Sequence, residues 1–399
     1  MVQASDLLPE KQVIPASRWQ VFFALAAFVV IGTHAGAFGV LLPSIRAAYQ
    51  VNVSTLSWAF VASTLGYITA SLGTMWQTRI GARRFLLLAL GIFLFSSGLI
   101  SLGVPFVVYL ALTGLLGLGI GMIDAGLNAY LASLPHSTIL LNYLHAFWGM
   151  GALIGPLLAS LLFQWRWNWQ ATYEVWFVVT LLLSVGFWFF FRPAPEVAPA
   201  EPDQHQNLLL QTLRQRVLWL VTLFLVLYVG VEIGLGTWGY SFLTIARQGP
   251  VLESAWAISG YWLGLTVSRL TLANASARLG MRALMHICLV GVVVGLLLVW
   301  LLPGFWGAAP GLCLIGFFLG PIFPTSIALL SQAVPARLVA SAVGFLFALS
   351  NVGGALFPSL AGTLLQQFGF WFLPPFALII TVMMVGSWLL LRRFSPKEG

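Results

Sequence analysis

Two carboxylic acids stand where this chain can least tolerate them. Asp124 lies in Gly121-Met-Ile-Asp124-Ala-Gly-Leu-Asn128, and Glu232 in Tyr228-Val-Gly-Val-Glu232-Ile-Gly-Leu-Gly-Thr-Trp238, both deep inside long hydrophobic runs. The other acids fall in the tails or central linker (Asp6, Glu10, Glu196, Glu201, Asp203, Glu398) or near run ends (Glu174, Glu253). Arg269 is the cation clearly inside a run. A charged side chain at the centre of a hydrocarbon layer costs ~2.5–3.5 kcal/mol even on the lenient insertion scale, so these groups are expected to face a cavity or one another. A carboxyl group so placed suits reversible protonation near neutral pH. Asp124 and Asn128 are four residues apart and share one helix face, where they could hold a proton and bond a hydroxyl-rich solute together. The plainer alternative is a hydrogen bond between helices. Glu232 could bind a coupling cation, accept solute hydroxyls, or fix a helix broken within the glycine-rich stretch Gly230–Gly239. Arg269 could be the counter-charge whose carboxylate pairing changes with protonation, or it could cap carbonyls at an inner gate.

Weaker candidates surround these three. His145 and Trp148 are three residues apart on one helix face. Histidine titrates near neutral pH, and tryptophan offers an apolar face with one donor, which suits a sugar. His34 carries the same ambiguity as His145, since a buried histidine is more often a satisfied hydrogen-bonding group. Trp238, six residues past Glu232, is a second aromatic candidate, and Asn351 is a polar one late in the chain. Gly117-Leu-Gly119-Ile-Gly121 imitates a nucleotide loop, but no strand precedes it, and it reads as a close-packing helix face.

The elements that must position these residues follow from composition. The chain has 399 residues, 60% hydrophobic and 7% charged, against about 45–50% and about 25% in an average soluble domain. That excludes a soluble enzyme and a disordered chain. Continuous apolar runs, without alternation, exclude an outer-membrane barrel. The net charge of +8 sits between runs, singly or in small groups, which fits membrane topology and argues against nucleic-acid binding. Cys288 and Cys313 lie within apolar runs and read as packing thiols. Residues 1–18 are polar and the run after them is long enough to span, unlike a signal peptide. No Walker motif, nucleophile–base set or metal-ligand spacing is found, so neither an enzyme nor a bound cofactor is expected beyond a coupling H+ or Na+.

Six apolar runs fill residues 19–191 and six more fill 217–391. The expected architecture is all-α: twelve transmembrane helices in two six-helix bundles, 1–191 and 217–399, joined by a cytoplasmic linker, 192–216. The linker opens with a Pro/Ala/Glu-rich stretch unsuited to packing, and Asn207–Arg216 could form a short interfacial helix. With both ends inside, the inner segments hold Arg79, Arg83, Arg84, Arg214, Arg216 and Arg282 among others. The outer loops hold Arg46, Arg166 and Arg247. This is a strong positive-inside bias. The halves also echo each other at an offset near half the chain. Gly36 and Gly39 match Gly236 and Gly239, Gly117 and Gly121 match Gly316 and Gly320, Arg79-Ile-Gly81-Ala-Arg83 matches Arg278-Leu-Gly280-Met-Arg282, and Pro156 matches Pro358. Duplicated halves related by an axis along the membrane normal rock around a shared midplane cavity.

The two basic segments carry a family likeness. Thr78-Arg79-Ile80-Gly81-Ala82-Arg83-Arg84 resembles the major facilitator superfamily pattern Gly-x3-Asp-Arg-x-Gly-Arg-Arg, with Thr78 where the Asp is expected. Within that superfamily the chain is most similar to the fucose permease and sodium-glucose transporter-like branch. The likeness rests on the Asp124 and Glu232 stretches, Leu144-His145-Ala-Phe-Trp148-Gly149-Met-Gly151, and Tyr261-Trp-Leu-Gly-Leu-Thr-Val-Ser-Arg269. The resemblance implies a secondary active carrier in a cell membrane, working by alternating access and mostly taking sugars, coupled to protons or sodium. Fucose-type members carry an acid in the first helix, where this chain has His34. The likeness also implies cytoplasmic gate loops at Arg79, Gly81, Arg83, Arg278, Gly280 and Arg282. The expected partners are a small-molecule substrate of the sugar class and membrane lipid, with a monomeric chain and no nucleic acid. One rival is a proton-driven exporter of lipophilic compounds. Gly151-Ala-Leu-Ile-Gly155-Pro156-Leu-Leu-Ala159-Ser160 partly resembles the antiporter pattern Gly-x3-Gly-Pro-x-x-Gly-Gly but lacks its last two glycines. A second rival, a sensor or lipid-handling protein, finds little support in the sequence.

Overall fold

Every apolar run becomes a helix, because in lipid a backbone must satisfy its own hydrogen bonds. The computed structural model describes residues 18–72, 77, 79–191, 210–272 and 279–392. The first half contains α1 (Arg18–Tyr49), α2 (Trp58–Leu72), α3 (Ala82–Ser101), α4 (Phe106–Ala132), α5 (Ser137–Gln164) and α6 (Gln170–Phe190). A short turn of helix, Val53–Leu56, leads into α2. The second half contains α7 (Arg216–Ser241), α8 (Val251–Thr271), α9 (Met281–Leu301), α10 in two pieces (Gly304–Leu319 and Ile322–Ala333), α11 (Val339–Phe368) and α12 (Leu373–Leu391). Among the described residues, eleven spans are long and apolar enough to cross a membrane. The helix outside that set is α8, which carries Glu253, Arg269 and several hydroxyl side chains. Of the expected interfacial helix, residues 210–213 are helical and 207–209 lie outside the described residues.

The duplication is visible in packing. In the first half α1 lies along α5 and α2 along α4; in the second, α7 lies along α11 and α8 along α10. Equivalent glycines make equivalent contacts. A Cβ on Gly117 would sit 2.0 Å from the Ser63 carbonyl oxygen, and one on Gly316 would sit 2.0 Å from that of Tyr261. The glycines of the false nucleotide loop therefore form a helix-crossing face, as small residues do in membranes. The two basic loops also match, with Gly81 at φ 82, ψ 149 and Gly280 at φ 80, ψ 150. That region is almost closed to side chains, at a cost of about 1–3 kcal/mol. Gly81→Ala and Gly280→Ala should therefore lower the unfolding temperature of the purified protein by similar amounts. Unchanged melting in either variant would contradict this.

One expectation is overturned. The glycine-rich stretch of α7 does not break, and the helix runs unbroken from Arg216 to Ser241. Its glycines make room for neighbours instead: a Cβ would meet Phe357 at 2.1 Å on Gly230 and Trp262 at 2.5 Å on Gly236. The interruption lies in α10, at Gly320 and Pro321. Exposed tryptophans mark two bands. Trp58, Trp165, Trp167, Trp256, Trp306 and Trp371 ring one end of the bundle, and Trp19, Trp188 and Trp219 ring the end bearing Arg18, Arg83 and Arg216. Such bands sit at membrane–water interfaces. The second end is called the basic face below.

The halves meet away from the basic face. The Val53 N–H donates to Gln366 Oε1 at 3.0 Å, and Ser359 Oγ donates to the Ser57 carbonyl at 3.2 Å. Phe60 meets Trp238 with ring centroids 5.7 Å apart. Nearer the middle, Ser259 Oγ donates to the Leu153 carbonyl at 2.8 Å. The seam is closed by neutral groups and by glycines: a Cβ on Gly39 would lie 2.4 Å from the Thr237 carbonyl oxygen, and one on Gly362 would lie 1.8 Å from Ser57 Oγ.

Candidate substrate cavity

Asp124 stands two-thirds of the way along α4, toward the basic face. Its carboxylate is held from two sides. The Tyr67 hydroxyl, from α2, donates to Oδ2, and Asn128 Nδ2 donates to Oδ1 at 2.8 Å. The same amide also donates to the Asp124 backbone carbonyl at 2.9 Å. The four-residue spacing thus does what the helix period requires. Tyr67 reaches Asp124 because α2 and α4 cross tightly: a Cβ on Gly121 would sit 2.9 Å from the Tyr67 carbonyl oxygen.

These groups form one wall of a cavity of about 270 Å³. Tyr67, Asp124, Asn128 and His145 line it from the first half, and Phe347 and Asn351 face them from α11. Every lining residue lies in the part of its helix nearer the basic face. With the opposite seam closed, the protein is in the state whose cavity lies toward the basic side. The cavity offers carboxylate, hydroxyl, amide and imidazole groups on one wall and an aromatic ring on the other. Asn351 Nδ2 donates to the Phe347 carbonyl at 2.8 Å, and its amide oxygen, an acceptor, has no partner among the described residues.

The second cluster lies in the other half. Arg269 Nη2 is 3.1 Å from Glu232 Oε1, and Glu232 is buried. The same nitrogen lies 3.5 Å from the Tyr228 hydroxyl, and Arg269 Nε donates to the Gly320 carbonyl at 3.3 Å. Arg269 thus both pairs with a carboxylate and caps a backbone carbonyl. Tyr261 completes the group by donating to the Glu232 carbonyl at 2.8 Å. His145 lines the cavity with Asp124, its ring edge-on to Phe28 with centroids 5.9 Å apart.

Other expected site residues lie elsewhere. Trp238 is buried in the seam, with Nε1 donating to the Pro358 carbonyl at 2.9 Å. Its place is structural because α7 turns that face toward α2 and α11. Trp148 packs edge-on against Trp262, centroids 5.7 Å apart, where α5 meets α8. His34 is enclosed by Phe38, Phe93 and Trp176 in the interior of the first half, and its Nε2 has no hydrogen-bond partner among the described residues. Of the gate-loop residues, Arg79 is exposed and Arg83 donates to the Trp188 carbonyl while its guanidinium lies 5.3 Å from that ring. The Arg282 carbonyl is 2.7 Å from His286 Nδ1. Thr78 and Arg278 lie outside the described residues. Sequence reasoning missed Tyr67 and Phe347 in the cavity. A tyrosine beside Gly66 in an uncharged run was the available signal for the first.

Two pseudo-symmetric helical bundles around a cavity lined by a membrane-depth carboxylate define a polytopic membrane carrier. The chain belongs to the Major Facilitator Superfamily, whose family model matches residues 23–255 and 239–399. It is 27% identical to Bypass of stop codon protein 6 of Saccharomyces cerevisiae, over 96% of this chain and 84% of that protein. It is 31% identical to Sodium-dependent glucose transporter 1 of Rattus norvegicus over 36% of this chain and 31% of that protein, which fits the branch resemblance. Among solved structures, a mutant of the nucleoside transporter NupG superposes with a TM-score of 0.78 at 13% identity, covering 94% of this chain and 99% of that one.

Proposed function

We propose that the protein is a secondary active transporter moving a small polar solute of the sugar class by alternating access, driven by a proton gradient ahead of a sodium gradient. The observation that carries this reading is the Asp124 carboxylate, held by Tyr67 and Asn128 on the wall of a cavity closed from the opposite face. Asp124 is assigned the coupling proton, with Glu232 and Arg269 as the paired charges that respond to it. Asn128, His145 and Asn351 offer hydrogen bonds to solute hydroxyls, and the Phe347 ring suits the C–H face of a pyranose. Residues 1–191 and 217–399 form the rocking halves, and 192–216 the linker. The basic face is placed in the cytoplasm of a cell membrane by the positive-inside rule. The rat relative's name supports sugar as the substrate class and makes sodium the control ion to test. Export of lipophilic compounds is disfavoured, because Ala159 and Ser160 stand where the antiporter pattern has its last two glycines.

The test is uptake of labelled sugars into proteoliposomes under an imposed proton or sodium gradient. Accumulation should follow the proton gradient and be lost in Asp124→Asn. If no sugar accumulates or competes, and Asp124→Asn behaves like its parent, the proposal fails. Dye-efflux and drug-susceptibility assays separate the exporter reading.

A further inference from the structure

Arg269 owes its orientation to a gap in the hydrogen-bond ladder of α10. In an α-helix the carbonyl of residue 320 accepts from the N–H of residue 324. Residue 324 is Pro324, which has no N–H to give. The Gly320 carbonyl is thereby left for a side chain, and Arg269 Nε takes it at 3.3 Å. The approach of α8 to α10 at this point depends on Gly320 itself: a Cβ there would lie 1.9 Å from Ser268 Oγ and 2.5 Å from the Leu265 carbonyl oxygen. A guanidinium is a rigid plane, so fixing Nε fixes the direction in which Nη2 points. Here Nη2 points at Glu232 Oε1, 3.1 Å away. Pro321, three residues earlier, removes a different donor, the one due to the Phe317 carbonyl.

We propose that Pro324 is a positioning residue for the Arg269–Glu232 pair, acting by leaving the Gly320 carbonyl open to the guanidinium. A helix-breaking proline is usually assigned the bend it makes. This one supplies an acceptor, and the acceptor aims a charge. The consequence for transport rests on the proposed function above; the structural part stands without it.

The full-length protein is compared as the parent, Pro324→Ala, Pro321→Ala, Arg269→Lys and the two combinations of a proline variant with Arg269→Lys. Alanine at 324 restores an N–H that competes with the guanidinium for the Gly320 carbonyl. In the parent background that gain is offset by loss of the Arg269 contact. In the Arg269→Lys background the forked donor is already gone. Pro324→Ala should therefore raise the unfolding temperature more in the Arg269→Lys background than in the parent, by about 2 °C or more. Pro321→Ala should shift it equally in both backgrounds. In proteoliposomes Pro324→Ala should lower the kcat of gradient-driven uptake about tenfold, with KM within about twofold, while Pro321→Ala leaves both near parental values. An equal thermal shift from Pro324→Ala in the two backgrounds overturns the proposal, as does an equal loss of uptake from the two proline variants. If the parent moves no sugar at all, the proposed function falls, and the thermal comparison alone still decides the role of Pro324.

Discussion

Arg269→Met should unfold more easily than the parent, and adding Glu232→Gln should recover most of the loss. The reason is the place of Glu232, which is buried and 3.1 Å from Arg269. Removing the arginine leaves the buried carboxylate uncompensated, which costs about 3–5 kcal/mol in a fully buried pair and less here, where the Arg269 side chain keeps 29% of its surface exposed. For a chain of this length each kcal/mol moves the unfolding temperature by about 1 °C, so a fall of a few degrees is expected. Glu232→Gln with Arg269→Met leaves two neutral groups of similar volume, and replacing a whole buried pair is close to neutral. Thermal unfolding of the detergent-purified variants reads this directly. A parental melting temperature for Arg269→Met, or a double variant as weak as the single one, would show that the pair does not bear on stability. Gradient-driven uptake should be lost in both, because the double variant restores packing without restoring the charge.

Gly39→Ala should shift the protein away from the state described here. Its Cβ would stand 2.4 Å from the Thr237 carbonyl oxygen and 2.9 Å from that of Gly236, both backbone atoms of the facing helix. Backbone cannot swing aside as a side-chain tip can, so α1 and α7 must part at the seam. Overpacking of this kind costs about 1–3 kcal/mol, and the cost falls on the seam-closed state alone. The ratio of seam-open to seam-closed protein then rises by roughly five- to a hundredfold. Ser57 is buried in the same seam. A cysteine introduced by Ser57→Cys should therefore react faster with a membrane-impermeant maleimide when Gly39→Ala is present. Gly234→Ala on α7 is the control, since a Cβ there meets nothing within 4 Å. Equal labelling with Gly39→Ala and Gly234→Ala would refute the steric argument.

Depth was readable in the sequence and direction was not. Length, apolar runs and the half-chain echo were enough to give the helices and their duplication. The depth of Asp124 and Glu232 followed from the rarity of acids in such runs. The Asp124–Asn128 bond followed from helix period, a purely local property. Which face of a helix looks inward is a different matter. In lipid, both the lipid-facing and protein-facing sides are apolar, so no stripe marks the interior. That is why Tyr67 and Phe347 were missed, and why Trp238 and His34 were expected in the cavity but are packed elsewhere. The α7 glycines misled for a related reason. Glycine serves both a break and a close crossing, and Phe357 and Trp262, which fill the space beside them, come from other helices. Arg269 could be read as a counterweight, but its carboxylate lies 37 positions away in the chain, on a helix whose rotation the sequence does not encode locally.

The polarity of α8 bears on how the chain enters a membrane during synthesis. Arg269 sits in the last turn of that helix, the span outside the set that meets the length-and-hydropathy standard for crossing. An arginine costs about 2.5–3.5 kcal/mol at a span centre and less in the last turn, and α8 has little hydrophobic surplus to offset even that. The helix that precedes it brings Glu232. Emerging as a hairpin, α7 and α8 can present the two charges to each other before either faces lipid. The ion pair is then needed once during biogenesis, before any solute is moved. Variants that separate the two charges should consequently be inserted in lower yield, read as a smaller amount of membrane-bound protein alongside the change in transport per molecule.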